Sequence, residues 1–201
     1  MPSDYEKIKN RLEKILPKKR YIHSLGVADE ARRLAAIYGA DEDKAYLAGL
    51  LHDNAKAYPI EKQIALCADY GVKLDDALLQ CPPVIHGFLG RAIAKKDYKI
   101  KDKGILNAIR YHTVGRAGMS LLEKIIYIAD MTEPSRDFDG VEDLRRQVDA
   151  DLDEALIMCI REQLAVQCGR RSTIHPNMIC MWNDLILNKG ERIWKMKDCK
   201  L

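Results

Sequence analysis

The stretch Leu47 to Lys56, LAGLLHDNAK, constrains this 201-residue chain more than any other. An apolar run that has to be buried ends in His52 and Asp53, two adjacent metal-ligand side chains, and Lys56 follows one helical turn beyond. Burying an imidazole, a carboxylate and an ammonium together beside an apolar helix is costly unless a cation and an anionic ligand satisfy them. The stretch therefore points to a metal and a phosphate at the end of a buried helix.

Around it the apolar residues recur at three- and four-residue spacing, and no segment alternates as a strand does, so the chain reads as an all-α helical bundle in one domain spanning 1–201. Ser3 or Asp4 can cap a first helix with Tyr5, Ile8, Leu12, Ile15 and Leu16 on its apolar face, ended by Pro17. The second, KKRYIHSLGVADEARRLAAIYG, closes at Gly39. It places His23 at the head of a stripe continued by Val27, Leu34 and Ile37, with Arg20 one turn earlier. Asp41 can cap the third, DEDKAYLAGLLHDNAK, which breaks before Pro59 because the residue preceding proline is pushed out of the helical region.

A short helix closes at Gly71, and the double proline Pro82–Pro83 stops the next segment, so His86 falls in the first turn of a new helix. KKDYKIKDKG reads as a solvated loop, and ILNAIRYHT delivers His112 near its end. Ser120 can cap LLEKIIYIADM, in which Asp130 is the acid behind Leu122, Ile125, Ile126 and Ala129. EPSRDFDGV has turn chemistry, and the amphipathic run from Val141 to Gly169 is two helices or one with a break. A last helix runs from Pro176 to Met196.

Composition narrows the function classes. With 33 basic and 30 acidic residues the net charge is only +3, which does not suggest a nucleic-acid partner. Six cysteines lie scattered without a C-x-x-C pair, which indicates neither a thiolate metal site nor a disulfide framework and suits a cytoplasmic protein. No apolar run approaches the roughly 20 residues of a membrane span.

Taken alone, each inward histidine is more simply a core residue with backbone partners, Asp53 a helix-end residue and Asp130 a buried cap. Together, His23, His52, Asp53, His86, His112 and Asp130 are six ionisable groups on different helices that are hard to satisfy without a cation. A nitrogen and oxygen donor set without sulfur suits iron, manganese, cobalt or zinc. Lys56 can clamp phosphate or be a solvated helix-end lysine. Arg20 can reach the same phosphates or belong with Lys18 and Lys19 to a solvated face. Arg136 can grip phosphate bidentately or form a loop salt bridge. His175 reads as structural, and Tyr111 and Met119 either border a base pocket or pack in the core.

The order His23, His52–Asp53, His86, His112, Asp130 resembles the metal-binding pattern of the HD-domain phosphohydrolase superfamily. LLHDNAK, RYHTVGRAGMSLLEKIIYIADMTEPSRDF, GVEDLR, DLDEAL and the late IHP resemble, in matching order from Arg20 to about Asn183, the YqeK family of symmetrical bis(5′-nucleosyl)-tetraphosphatases. Asn54, where an aromatic residue is expected, and Met131–Thr132, where tyrosine and an aliphatic residue are common, depart from that pattern. The resemblance implies an HD core at about 18–135 with C-terminal helices over 141–201. It also implies hydrolysis of diadenosine tetraphosphate to two ADP at a centre of iron, one ion or two.

On the same resemblance His23, His52, Asp53 and Asp130 are the primary metal ligands, and His86 and His112 hold a second metal or face the phosphates. Asp53, Lys56 and His112 are the catalytic candidates. Arg20, Lys56, Ala57, Tyr58, Pro59, His86, His112 and Arg136 are the substrate-binding ones. The expected ligands are a dinucleoside polyphosphate and, as product, ADP or GDP. Two other readings remain: an HD phosphohydrolase for another nucleotide, and a non-catalytic sensor of nucleoside diphosphates.

Overall fold

The computed structural model describes residues 2–188, with side chains from residue 5 onward. Eleven α-helices and two short 3-10 segments make up its regular structure. The helices are α1 Pro2–Ile15, α2 Lys18–Tyr38, α3 Glu42–Leu51, α4 Ile60–Asp69, α5 Asp76–Gln80, α6 Ile85–Lys96 and α7 Lys103–Tyr111, followed by α8 Leu121–Thr132, α9 Val141–Ala150, α10 Leu152–Gly169 and α11 Pro176–Asn188. The last helix expected from the sequence extends to position 196, and positions 189–196 lie outside the described residues.

Local chemistry sets most boundaries. Gly39 ends α2 at φ 69°, and the Asp41 carboxylate accepts from the Lys44 amide (2.9 Å) to start α3. Ser120 and Glu123 form a reciprocal capping box on α8. Asp151 resolves the long C-terminal run into two helices, because its extended backbone breaks the run and its side chain caps α10. The first helix departs from expectation: it already begins at Pro2, so Ser3 and Asp4 lie within α1 instead of before it.

Two apolar residues assigned to buried stripes are surface residues. Ile15 is 39% and Ile37 47% exposed. At 3.6 residues per turn, Ile37 is rotated roughly 80° from Val27, outside the narrow stripe that Val27 and Leu34 bury.

Two helix pairs carry the architecture that matters for function. In the first, α2 lies so close to α3 that a Cβ at Gly49 would sit 2.8 Å from the Ala28 Cα. In the second, α6 crosses α7 at Gly87, where a Cβ would stand 2.7 Å from the Arg110 carbonyl oxygen. The central helix α8 packs on α2, α3 and α7 and joins the two pairs through fully buried Ile125, Ile126 and Ile128. No helix among the described residues is long and apolar enough to cross a membrane.

Candidate metal centre and its two cavities

Each glycine-closed pair delivers two histidines. His52 occupies the C-terminal cap of α3 beside His23 of α2, with their Nε2 atoms 3.2 Å apart. His112 occupies the C-terminal cap of α7 beside His86 in the first turn of α6, with Nε2 atoms 3.0 Å apart. All four imidazoles are buried.

Their outward nitrogens decide the tautomer. Nδ1 of His52 donates to the Gly49 carbonyl (2.6 Å), that of His86 to Pro83 (2.6 Å), that of His112 to Ile109 (2.8 Å) and that of His23 to the Glu133 carboxylate (2.9 Å). Since carbonyls and carboxylates only accept, the proton sits on Nδ1 and the unprotonated Nε2 lone pairs converge. Lone pairs this close repel one another unless a cation lies among them.

Asp53 lies between the pairs. Its Oδ2 is 3.4 Å from His52 Nε2, and its Oδ1 is 3.3 Å from His86 Nε2 and 3.6 Å from His112 Nε2. Oδ1 is buried without a hydrogen-bond partner, as expected beside two unprotonated nitrogens. Asp130, from the last turn of α8, places Oδ1 3.0 Å from His23 Nε2.

These atoms form two metal-competent triads that share His52: His23, His52 and Asp130, and His52, Asp53 and His112. An orphaned buried carboxylate oxygen and four converging imidazole nitrogens fit a divalent cation.

Electrostatics agrees with ligation. Burial would raise the Asp53 carboxyl, and positive charge at the facing His52, His112 and His86 is what outweighs it and holds the group well below the usual carboxylate range; with their Nε2 atoms unprotonated, a bound cation has to supply that charge. Asp130 is held low too, with burial opposed by positive charge at His23 and His52, which a cation there would supply, and by the Arg136 guanidinium. Burial pushes His86 down to about 3, so its ring stays neutral, the form in which imidazole ligates.

The three expected cations surround the centre. Arg20 Nη1 donates to Asp53 Oδ2 (2.7 Å), and Arg136 donates to the Asp130 carboxylate through Nη2 and to its carbonyl through Nε (2.6 Å). With Lys56, Lys19, His23 and Glu133 they line a basin of about 380 Å³. Lys56 rides on a 3-10 turn, Asn54–Ala57, instead of the last turn of α3, and burial lowers its pKa. Asn54 fastens that turn by donating to Leu51 (2.9 Å) and Gly90 (3.0 Å) carbonyls.

Ala57, Tyr58 and Pro59, expected to line the nucleotide site, border neither cavity at the centre. Ala57 closes the 3-10 turn that carries Lys56, and the Tyr58 carbonyl is taken up by Gln63 Nε2 (2.8 Å).

A second cavity of about 710 Å³ reaches Asp130 and His112 and is lined by apolar Met131, Phe138, Leu144, Met158 and Val166. Tyr111 and Met119 do not border it. His175 takes its expected structural place, accepting at Nδ1 from the Asn177 amide (3.2 Å) at the start of α11.

Glu133 was not legible as a site residue. Buried just past α8, it accepts from His23 and from both the amide (2.7 Å) and hydroxyl (2.5 Å) of Ser135. Burial raises its pKa, but Ser135 and His23 outweigh that and keep it lowered. Thr113, whose hydroxyl lies 3.2 Å from His86 Nε2, was also missed. Both stand within three residues of a predicted ligand, which is the only signal the sequence carries for them.

A helical bundle that gathers H…HD…D donors in this order defines an HD domain, and residues 20–135 match the HD domain family. More particularly, the chain belongs to the YqeK family of HD domain proteins. It is 38% identical over 172 residues to the symmetrical bis(5′-nucleosyl)-tetraphosphatase of Bacillus subtilis, covering 85% of this chain and 91% of that one. It is 43% identical over 140 residues to the Staphylococcus aureus enzyme of the same name, covering 70% and 72%. The crystal structure of a predicted HD superfamily hydrolase from Clostridium acetobutylicum, described as involved in NAD metabolism, superposes with TM-score 0.89 at 47% identity. That match covers 92% of this chain and 97% of the other.

Proposed function

We propose that this protein is a divalent-metal-dependent hydrolase that cleaves diadenosine tetraphosphate symmetrically into two ADP. One observation carries the chemistry: four Nδ1-protonated imidazoles and a partnerless Asp53 oxygen converge where only a cation satisfies them. The choice of substrate rests on the activity named for the Bacillus and Staphylococcus relatives.

Six donors are available: His23, His52, Asp53 and Asp130 as primary ligands, His86 and His112 for a second ion or for the phosphates. We assign iron as the native metal on the family resemblance, since the donors also suit manganese, cobalt and zinc. When bound, such a cation supplies a water of lowered pKa and polarises the phosphoryl oxygen. Water oxygen bonds to the second phosphorus, the bridging bond to the third phosphate breaks, and ADP leaves with the bridging oxygen while a proton is released.

The chain's own groups fix that bond in place. Arg20, Lys56 and Arg136 line a basin suited to the two phosphates of one ADP unit, and Lys56 offsets charge that grows on the leaving phosphate. The apolar cavity beside Asp130 and His112 suits a nucleoside. Five described cysteines, all free, suit a reducing compartment, and we place the protein in the cytoplasm.

Product analysis tests the reading. The metal-loaded protein should convert diadenosine tetraphosphate into ADP alone; AMP with ATP in equal amounts, or no turnover while simple nucleotides are hydrolysed, contradicts it.

A further inference from the structure

A third cavity of about 620 Å³ shares no lining residue with the basin or the apolar cavity. It is walled by six cations, Lys73, Arg91, Lys95, Lys96, Lys99 and Arg110, and by no acidic side chain. Phe88 and Tyr70 supply apolar wall.

Neighbouring acids do not neutralise it. Asp97 is occupied by Arg11 (3.3 Å) and the Tyr70 hydroxyl (2.9 Å), and Asp69 reaches Lys96 only through its backbone carbonyl (3.3 Å). Lys99 Nζ donates to the Lys96 carbonyl (2.8 Å). Arg91, Lys73 and Lys95 form no ion pair among the described residues, and Arg110 has only the faces of Phe88 (4.7 Å) and Tyr111 (5.2 Å).

The Nε atoms of both Arg91 and Arg110 are buried without a hydrogen-bond partner. Six like charges around two half-buried guanidiniums, each with its Nε shielded from water and unpaired, make an arrangement that an anion would stabilise. Arginine prefers phosphate among anions, because its planar fork matches two phosphate oxygens at once. A concave site of this volume takes a small molecule with two or three phosphates.

We propose that this cavity is a second anion site, separate from the metal centre, that binds a small phosphorylated ligand carrying a di- or triphosphate. Its walls include α6, which carries His86, and α7, which His112 caps, together with the turn after α4. Arg110 stands two residues before His112, and its carbonyl is the atom packed against Gly87.

Equilibrium dialysis of radiolabelled pyrophosphate against the metal-loaded protein, with metal content assayed alongside, tests the proposal. Two pyrophosphates should bind per chain. Arg91→Gln should weaken one of them about tenfold or more, the scale of a lost charge-assisted hydrogen bond. The other should be weakened by Lys56→Ala alone. Lys73 and Lys95 are exposed, so Lys73→Gln with Lys95→Gln gives a second variant that leaves the fold intact and should weaken the same site as Arg91→Gln. A single pyrophosphate, sensitive to Lys56→Ala and indifferent to the other variants, overturns the proposal. Binding of a single-stranded RNA that depends on Arg91 while pyrophosphate does not bind there overturns it too, in favour of a nucleic-acid surface.

Discussion

The helix pairs α2/α3 and α6/α7 solve the same geometric problem with unequal means. Each closes over a glycine and points two Nε2 lone pairs at Asp53, the first pair nearest Oδ2 and the second nearest Oδ1. On the α2/α3 side, a buried Glu133 carboxylate orients His23, Asp130 adds a ligand oxygen, and Arg20 and Arg136 hold the two aspartates. On the α6/α7 side, backbone carbonyls orient both imidazoles, and a threonine hydroxyl is the polar neighbour. A carboxylate partner raises imidazole basicity more than a carbonyl does, so the first pair should hold metal tightly and the second loosely. Duplicated geometry thus does not imply duplicated affinity.

The largest effect should come from the residues that join the two sides. His52→Ala or Asp53→Ala should remove metal and activity together while helical content persists, because alanine supplies no coordination bond. Full metal occupancy in the Asp53 variant, read by elemental analysis, breaks the comparison at its centre. Next, Lys56→Ala should leave metal content near wild type and lower the rate by about 10²–10³, the usual cost of losing one transition-state donor. An unchanged rate at both saturating and limiting substrate returns Lys56 to an ordinary partly buried lysine.

Glu133→Gln sharpens the contrast, since it keeps the side chain's shape and removes its charge from His23. Metal affinity should fall about 10–100-fold, the scale of a lost outer-sphere partner; titration against a competing chelator measures it. Thr113→Val touches only the second pair and should be the mildest change. The rate should fall by no more than about fivefold, the worth of one hydrogen bond, with metal at the first triad unchanged. A larger loss of metal in Thr113→Val than in Glu133→Gln reverses the proposed order.

The six candidate donors stand out in the sequence because each is a polar residue placed where an apolar stripe or helix end must be buried. His52–Asp53 after LAGLL is the clearest case. Glu133 is not, since it falls in a segment with turn chemistry, and only the fold shows that this segment returns alongside α2. Helical spacing also fixes Lys56 on the wrong element: the α-helix stops at Leu51, because the chain must turn for Asn54 to reach α6. The basic cavity is invisible in sequence for another reason. Its cations come from position 73, positions 91–99 and position 110, and each group reads alone as a solvated surface.

Metal content per chain in His23→Ala beside His86→Ala asks the question of unequal pairs most directly. After identical loading and dialysis, His86→Ala should retain the ion held by His23, His52, Asp53 and Asp130, and His23→Ala should retain none. Equal loss in the two variants, or retention in His23→Ala alone, contradicts this account of the centre.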